Sequence, residues 1–189
     1  EGVRRVATDT SSRTSSAYTR ILFEIFWKVR PEFLPHDPHL DAMLAAADAA
    51  LLIGDPALLA LEDKDAREAR TGEQLLYLDL AHEWHNFTGL PWVSAVWAVR
   101  SGAFEESGFC AGELVRDLQG SRDHGMAHVE DLADEWSRRI RVPRDTIRHY
   151  LSQNIHYILD KDCLDGLDAF YRLAAECGAL PPAPPLTLL

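Results

Sequence analysis

Cysteine is scarce in this 189-residue chain: Cys110, Cys163 and Cys177 are odd in number, widely spaced and form no C-x-x-C pair. Neither a disulfide framework nor a zinc ribbon fits such a set, and reduced thiols are expected. Positive charge is also in short supply, with 19 Lys and Arg against 30 Asp and Glu and a formal net charge of −11. Without a basic stripe or a Lys/Arg cluster, broad binding to nucleic acid or to an anionic membrane is excluded, although a small anion can still bind locally. No uninterrupted apolar run reaches membrane-spanning length, and the polar first residues carry no signal-peptide h-region, so a cytoplasmic protein is expected. The G-x-S-x-G, P-loop and G-x-G-x-x-G motifs are absent, as is any internal repeat.

What is present is enough apolar material for a real core, 47% of residues, in one large domain or two small ones. Up to about Arg100, strand-like and helix-like runs alternate. Residues 3–7 read as a short strand. Ile21, Leu22, Ile25 and Phe26 follow at helical spacing. "EFLPH" reads as a second strand, "HLDAMLAAAD" as a helix, and "AALLIGD" as a buried strand closed by a turn at Gly54, Asp55 and Pro56. This is βαβ grammar and predicts an α/β fold with a short, mostly parallel sheet. The charged stretch "EDKDAREARTGEQ" reads as a solvated connection. After it come "LLYLDL", the helix "AHEWHNFTG" ended by Gly89, and the strand "PWVSAVWAVR", with Pro91 tolerable at its first position. Trp84, Phe87, Trp92 and Trp97 are expected to be core between that helix and strand. Beyond Ser101 the pattern is helical in four segments, the last with Leu164, Leu167, Phe170, Tyr171 and Ala174 on one face. The expected organisation is an α/β lobe over residues 1–100, a helical segment over 101–178 and a Pro-rich tail over 179–189.

Two places carry candidate chemistry. Ser and Thr crowd the strand-to-helix junction "TDTSSRTSSAYTR" (residues 8–20), where the first helical N–H groups lack partners and the helix dipole is positive. One hydroxyl suffices for an N-cap. The surplus, together with Arg13, suits a carboxylate or phosphate. In "LLIGDPAL", an apolar strand ends in Gly54-Asp55, which places a carboxylate at the strand's C-terminal edge, where open α/β sheets bind ligands. Asp55 equally fits a cap for a following helix with Pro56 at its first position. "HEWHN" spaces its histidines at i+3, which is not the zincin i+4. His124 and His128 are at i+4 but have no further ligands around them, so they read as exposed helix histidines, and no metal site is expected.

Taken in order, "VATDTSSRTSSAYTRIL", "ADAALLIGDPALLA" and "YLDLAHEWHNFTGLPWVSAVWAVR" resemble the chorismate dehydratase family of the futalosine route to menaquinone. The resemblance implies a fold similar to the type II periplasmic binding proteins, with the ligand in a cleft between two lobes. It implies loss of water from chorismate to give 3-[(1-carboxyvinyl)oxy]benzoate, a lyase reaction with a small dicarboxylate as substrate. By the family's motif, Ser12, Arg13, Thr14 and Ser15 hold a carboxylate, and Gly54 and Asp55 line the same cleft. The reaction asks for a positioned base, a proton donor and a dry cleft, with no metal or organic cofactor. Asp55 is the candidate base, an orienting group being the alternative, and a carboxylate of the substrate is another possible proton acceptor.

The sequence departs from the family at several points. It opens at what resembles the first strand of the second lobe, so a missing N-terminal lobe and little activity of this chain alone are expected. Ser16 stands where an apolar residue is usual, and Trp92 and Ser94 alter a strand that usually reads "PFVFA". A solute-binding protein for a small carboxylate shares the implied fold. So does 1,4-dihydroxy-6-naphthoate synthase, for which a histidine near the "IGD" segment is expected and is not found.

Overall fold

The central strand β1 (Arg5–Asp9) is buried from Val6 to Asp9, as expected of a strand covered on both faces. A computed structural model describes residues 2–100, 102–108 and 110–188. The chain divides into two compact units, one of Glu1–Ser94 with Leu159–Pro184 and one of Ala95–Ile158 with Pro185–Leu189.

In the first unit β1 lies between β2 (Glu32–His36) and β3 (Ala49–Leu51), all parallel in the order β2-β1-β3. The α/β reading of the sequence is therefore correct. Each connection passes through a helix: α1 (Arg13–Ile21) and a π-helical turn (Leu22–Phe26) join β1 to β2, and α2 (Leu40–Ala46) joins β2 to β3. Ala7 of β1 packs with Met43 and Ala47 to form one small core. The start of β1 is fastened by Asp48, whose carboxylate accepts the N–H groups of Arg4 at 2.8 Å and Arg5 at 2.9 Å. Those two donors hold the Asp48 carboxyl below its ordinary range.

The larger core gathers around Tyr18 of α1. Its ring is stacked between Trp92, at 3.6 Å between centroids, and Phe170, at 4.2 Å, and it meets Trp84 edge-on at 4.9 Å. Burial pushes its phenol well above the ordinary range. Trp84 belongs to α5 (Leu80–Thr88), which Asp79 caps through the N–H groups of Ala81 and His82. Phe170 belongs to α10 (Lys161–Glu176), which Asp160 caps through Cys163 N–H. Leu167, Phe170, Leu173 and Ala174 are the buried face of α10. This last helix packs on α1, in the same unit as the sheet. At Gly166 it passes the Pro91 backbone so closely that an added Cβ would stand 2.5 Å from the carbonyl oxygen. That oxygen also accepts the Trp84 indole N–H at 3.1 Å.

Two expectations are corrected. The charged stretch taken as a loop contains α3's end and a helix, α3 being Gly54–Glu62 and α4 Lys64–Thr71. Lys, Ala, Glu and Arg are good helix formers, and here propensity outweighs charge. Arg67 of α4 is buried, its Nε 2.8 Å from Asp41 and its Nη2 2.9 Å from Glu73. Residues 91–100 form no strand, although Val93, Ala95, Trp97 and Val99 alternate correctly, because no described strand runs beside them. Trp97 consequently lies 82% exposed rather than in the core.

The second unit is helical: α6 (Ala103–Ser107), α7 (Ala111–Ala127), α8 (Val129–Ile140), α9 (Arg144–His149) and a π-helical turn (Tyr150–Asn154). Of the stretch expected to be helical from residue 104 to 122, Phe109 lies outside the described residues, as do Glu1, Ser101 and Leu189. Ala133, Val142 and Ile147 are buried where α8 meets α9, and Arg144 reaches back to Glu130 and Asp134. No helix of the described residues is long and apolar enough to cross a membrane.

The close passage at Gly166 reverses the usual effect of a helical Gly→Ala change. Gly166→Ala is expected to destabilise by about 1–3 kcal/mol through overpacking. Gly120→Ala, on α7 with no atom within 4 Å of the added Cβ, is expected to stabilise by about 0.4–1 kcal/mol. Denaturant melts of both variants check the opposite signs. Asp48 gives a pH dependence. Its folded-state pKa is depressed, so its stabilisation is present at neutral pH and lost as pH falls through the carboxylate range. Asp48→Ala is expected to lower the melting temperature at pH 7 and to narrow the gap from wild type as pH falls below 4.

Candidate active site

In a sheet of order β2-β1-β3 the chain leaves β1 toward one side and returns on the other, so the strand order reverses between β1 and β3. Open α/β sheets bind ligands outside the carboxyl ends of the strands at such a point. The register sets Thr8 opposite Leu51. The start of α1, which follows β1, and the start of α3, which follows β3, therefore rise from neighbouring strands at one edge of the sheet. Ser12, Arg13, Thr14 and Ser15 lie at the first start, Gly54 and Asp55 at the second.

Most hydroxyls at the α1 start are bonded within the helix. Ser12 is the N-cap, its Oγ accepting Ser15 N–H at 3.1 Å and donating to Ser15 Oγ at 3.0 Å. Ser16 Oγ donates to the Ser12 carbonyl at 2.8 Å, and Thr19 Oγ1 to the Ser15 carbonyl at 2.7 Å. Ser16 thus satisfies its hydroxyl locally, which explains how a polar residue stands at that position. Thr14 and exposed Arg13 make no side-chain hydrogen bond among the described residues. Their backbone N–H groups are the first two of the helix and have no partner within it. This leaves an anion-sized set of donors: two amides, one hydroxyl and one guanidinium.

Gly54 opens α3 with φ +57, a left-handed conformation that costs glycine little. Asp55 is exposed, stands inside the first turn and bonds to no N–H of its helix; the N-cap position is Ile53, with no side-chain cap. The cap role open to Asp55 in the sequence is therefore not the one it takes in this fold, and its carboxylate is free to meet a ligand.

Two side chains at the same edge escaped sequence reading. Asp9, the last residue of β1, is only 2% exposed, and its Oδ1 accepts Ser11 N–H at 2.8 Å. His36, the last residue of β2, is its register partner and half-buried. "EFLPH" was legible as a strand, and a histidine at the carboxyl end of a parallel strand was the available signal. His124 and His128 lie far along the chain in the second unit, exposed, with ring centroids 4.2 Å apart and His128 Nδ1 bonded to the His124 carbonyl at 2.8 Å.

Comparison with known proteins places the chain in a family. A family described as menaquinone biosynthesis is matched over residues 1–176. The chain is also 34% identical over 188 residues to a chorismate dehydratase of Thermus thermophilus, in a match covering 95% of this chain and 65% of that relative. The chain thus spans 65% of the relative's length. Since the family match runs from before β1 to the last residue of α10, the chain belongs to the menaquinone biosynthesis family.

Proposed function

We propose that this protein is a chorismate dehydratase, a carbon–oxygen lyase that removes water from chorismate to give 3-[(1-carboxyvinyl)oxy]benzoate. The observation that carries the reading is the likeness to the Thermus thermophilus enzyme along nearly the whole chain. The site chemistry supports it. Chorismate is a dicarboxylate, and the open amides of Arg13 and Thr14, the Thr14 hydroxyl and the Arg13 guanidinium suit one of its carboxylates. Ser12 and Ser15 keep this helix start in shape. Gly54 supplies the left-handed turn from β3 into α3, and Asp55, free of internal hydrogen bonds, takes the ring proton. Aromatisation supplies the driving force, so positioning and proton transfer suffice and no cofactor is required.

The direct test incubates the purified protein, in the longest form its gene encodes, with chorismate and reads product by mass. A species lighter by one water is expected. Unchanged chorismate would overturn the reading. Thr14→Ala is expected to weaken binding of 3-[(1-carboxyvinyl)oxy]benzoate by about 1.5–3 kcal/mol, the range for a hydrogen bond to a charged group, with little change in melting temperature. Ser12→Ala, which removes the cap, is expected to cost about 1 kcal/mol of stability as well. Calorimetry and thermal melts separate the two. Asp55→Asn keeps shape but removes basicity, so turnover is expected to fall while the melting temperature holds. Wild-type turnover in that variant would remove Asp55 from the chemistry.

A further inference from the structure

Asp9 and His36 end adjacent parallel strands in register, so their side chains leave the same face of the sheet at its carboxyl edge. The backbone locks this pairing beyond the strands, with Thr10 N–H donating to the His36 carbonyl at 3.3 Å. Asp9 is almost wholly buried, yet it meets no Lys, Arg or His at ion-pair distance among the described residues, and its one hydrogen bond is to Ser11 N–H. A carboxylate so placed is costly unless a partner or a function accounts for it.

His36 supplies the complementary feature. Its Nδ1 lies 2.7 Å from the Asp37 carbonyl oxygen. A carbonyl only accepts, so Nδ1 carries the hydrogen, and the tautomer is fixed by the backbone. Nε2 is left as the working nitrogen, with no partner among the described residues. Neighbouring strands stand about 4.8 Å apart, so β2 and β3, on either side of β1, are separated by about 10 Å. A six-membered ring with its substituents fits between groups carried by those two strands.

We infer that His36, donating from Nε2 of its doubly protonated ring, is the proton donor for the departing hydroxyl and that Asp9, its register partner on β1, is the positioning residue beside it. The inference rests on the dehydratase reading. The bond from hydrogen to the ring carbon bearing the enolpyruvyl ether breaks, and its proton passes to Asp55. The electron pair becomes the new ring double bond. The adjacent carbon–oxygen bond breaks, and the oxygen leaves with that bond's pair and takes a proton from His36 Nε2 as water. Asp55 has then gained one proton and His36 lost one, and exchange with solvent restores both.

The test uses His36→Gln and Asp9→Asn in the longest form the gene encodes. His36→Gln is expected to lower kcat by about 100-fold or more, the usual range for a general acid. Its affinity for 3-[(1-carboxyvinyl)oxy]benzoate should stay within about threefold of wild type, as an effect on the chemical step alone requires. Asp9→Asn keeps an oxygen for Ser11 N–H, so KM is expected to hold while kcat falls; a purely structural Asp9 would leave kcat of the folded variant unchanged. An active wild type whose His36→Gln variant turns over normally overturns the assignment. A wild type that leaves chorismate intact overturns the dehydratase reading, and the assignment with it. If the variant fails to fold, the ¹⁵N resonances of His36 in the wild type decide. An Nδ1–H tautomer whose Nε2 signal moves when 3-[(1-carboxyvinyl)oxy]benzoate is added supports the assignment, and an unmoved Nε2 overturns it.

Discussion

The sandwich of Tyr18 between Trp92 and Phe170 joins three parts of the chain that are distant in sequence: α1, the segment after α5, and α10. Large aromatic faces bury more area than any other contact open to these segments, and their offset geometry fixes orientation as well as distance. Tyr18 lies between the helix start that carries the candidate anion site and the π-helical turn that ends the helix. Because the ring is held on both faces, α1 cannot roll or slide without breaking the stack. The amides of Arg13 and Thr14 are thereby aimed by a contact made in the core, well behind the site.

The same arrangement explains what the hydroxyl-rich junction is for. Four of its hydroxyls, on Ser12, Ser15, Ser16 and Thr19, are engaged within the helix. Ser16 and Thr19 are tied to backbone carbonyls one turn away, and Ser12 to Ser15 N–H and Oγ. These bonds shape the helix start, and the side chains of Arg13 and Thr14 are the ones they do not use. A count of Ser and Thr in the sequence does not show how many of them the helix itself engages.

The fold was legible where pattern and packing agree. β1, β2, β3 and the buried face of α10 follow from apolar runs and helical spacing, because those patterns record burial directly. Reading failed at α4 and at residues 91–100, for opposite reasons. In α4 the single buried residue, Arg67, is a charged one paired through Nε with Asp41 and through Nη2 with Glu73, its Nη1 being left without a partner, a pairing between segments that no local pattern shows. In residues 91–100 the alternation is present, but a strand exists only where another strand lies beside it. At the site, Ser12 and Asp55 could be picked out from strand-to-helix junctions. His36 could have been, as the last residue of a legible strand, but its adjacency to Asp9 could not, since that is a property of register between two strands separated by a helix.

Pro35 lies within β2, an edge strand of the sheet. Glu32 N–H donates to the Arg4 carbonyl at 2.8 Å and the His36 carbonyl accepts from Thr10, so residues 32, 34 and 36 turn their polar groups toward β1. Residues 33 and 35 turn theirs outward. The donor that proline lacks is thus missing from the free edge alone, and the ladder to β1 loses nothing. A foreign strand approaching there finds a gap in the row of hydrogen-bond donors and a ring in its way. The sheet thus has two unlike edges among the described residues: proline discourages fusion with other chains along β2, and β3 carries no such guard.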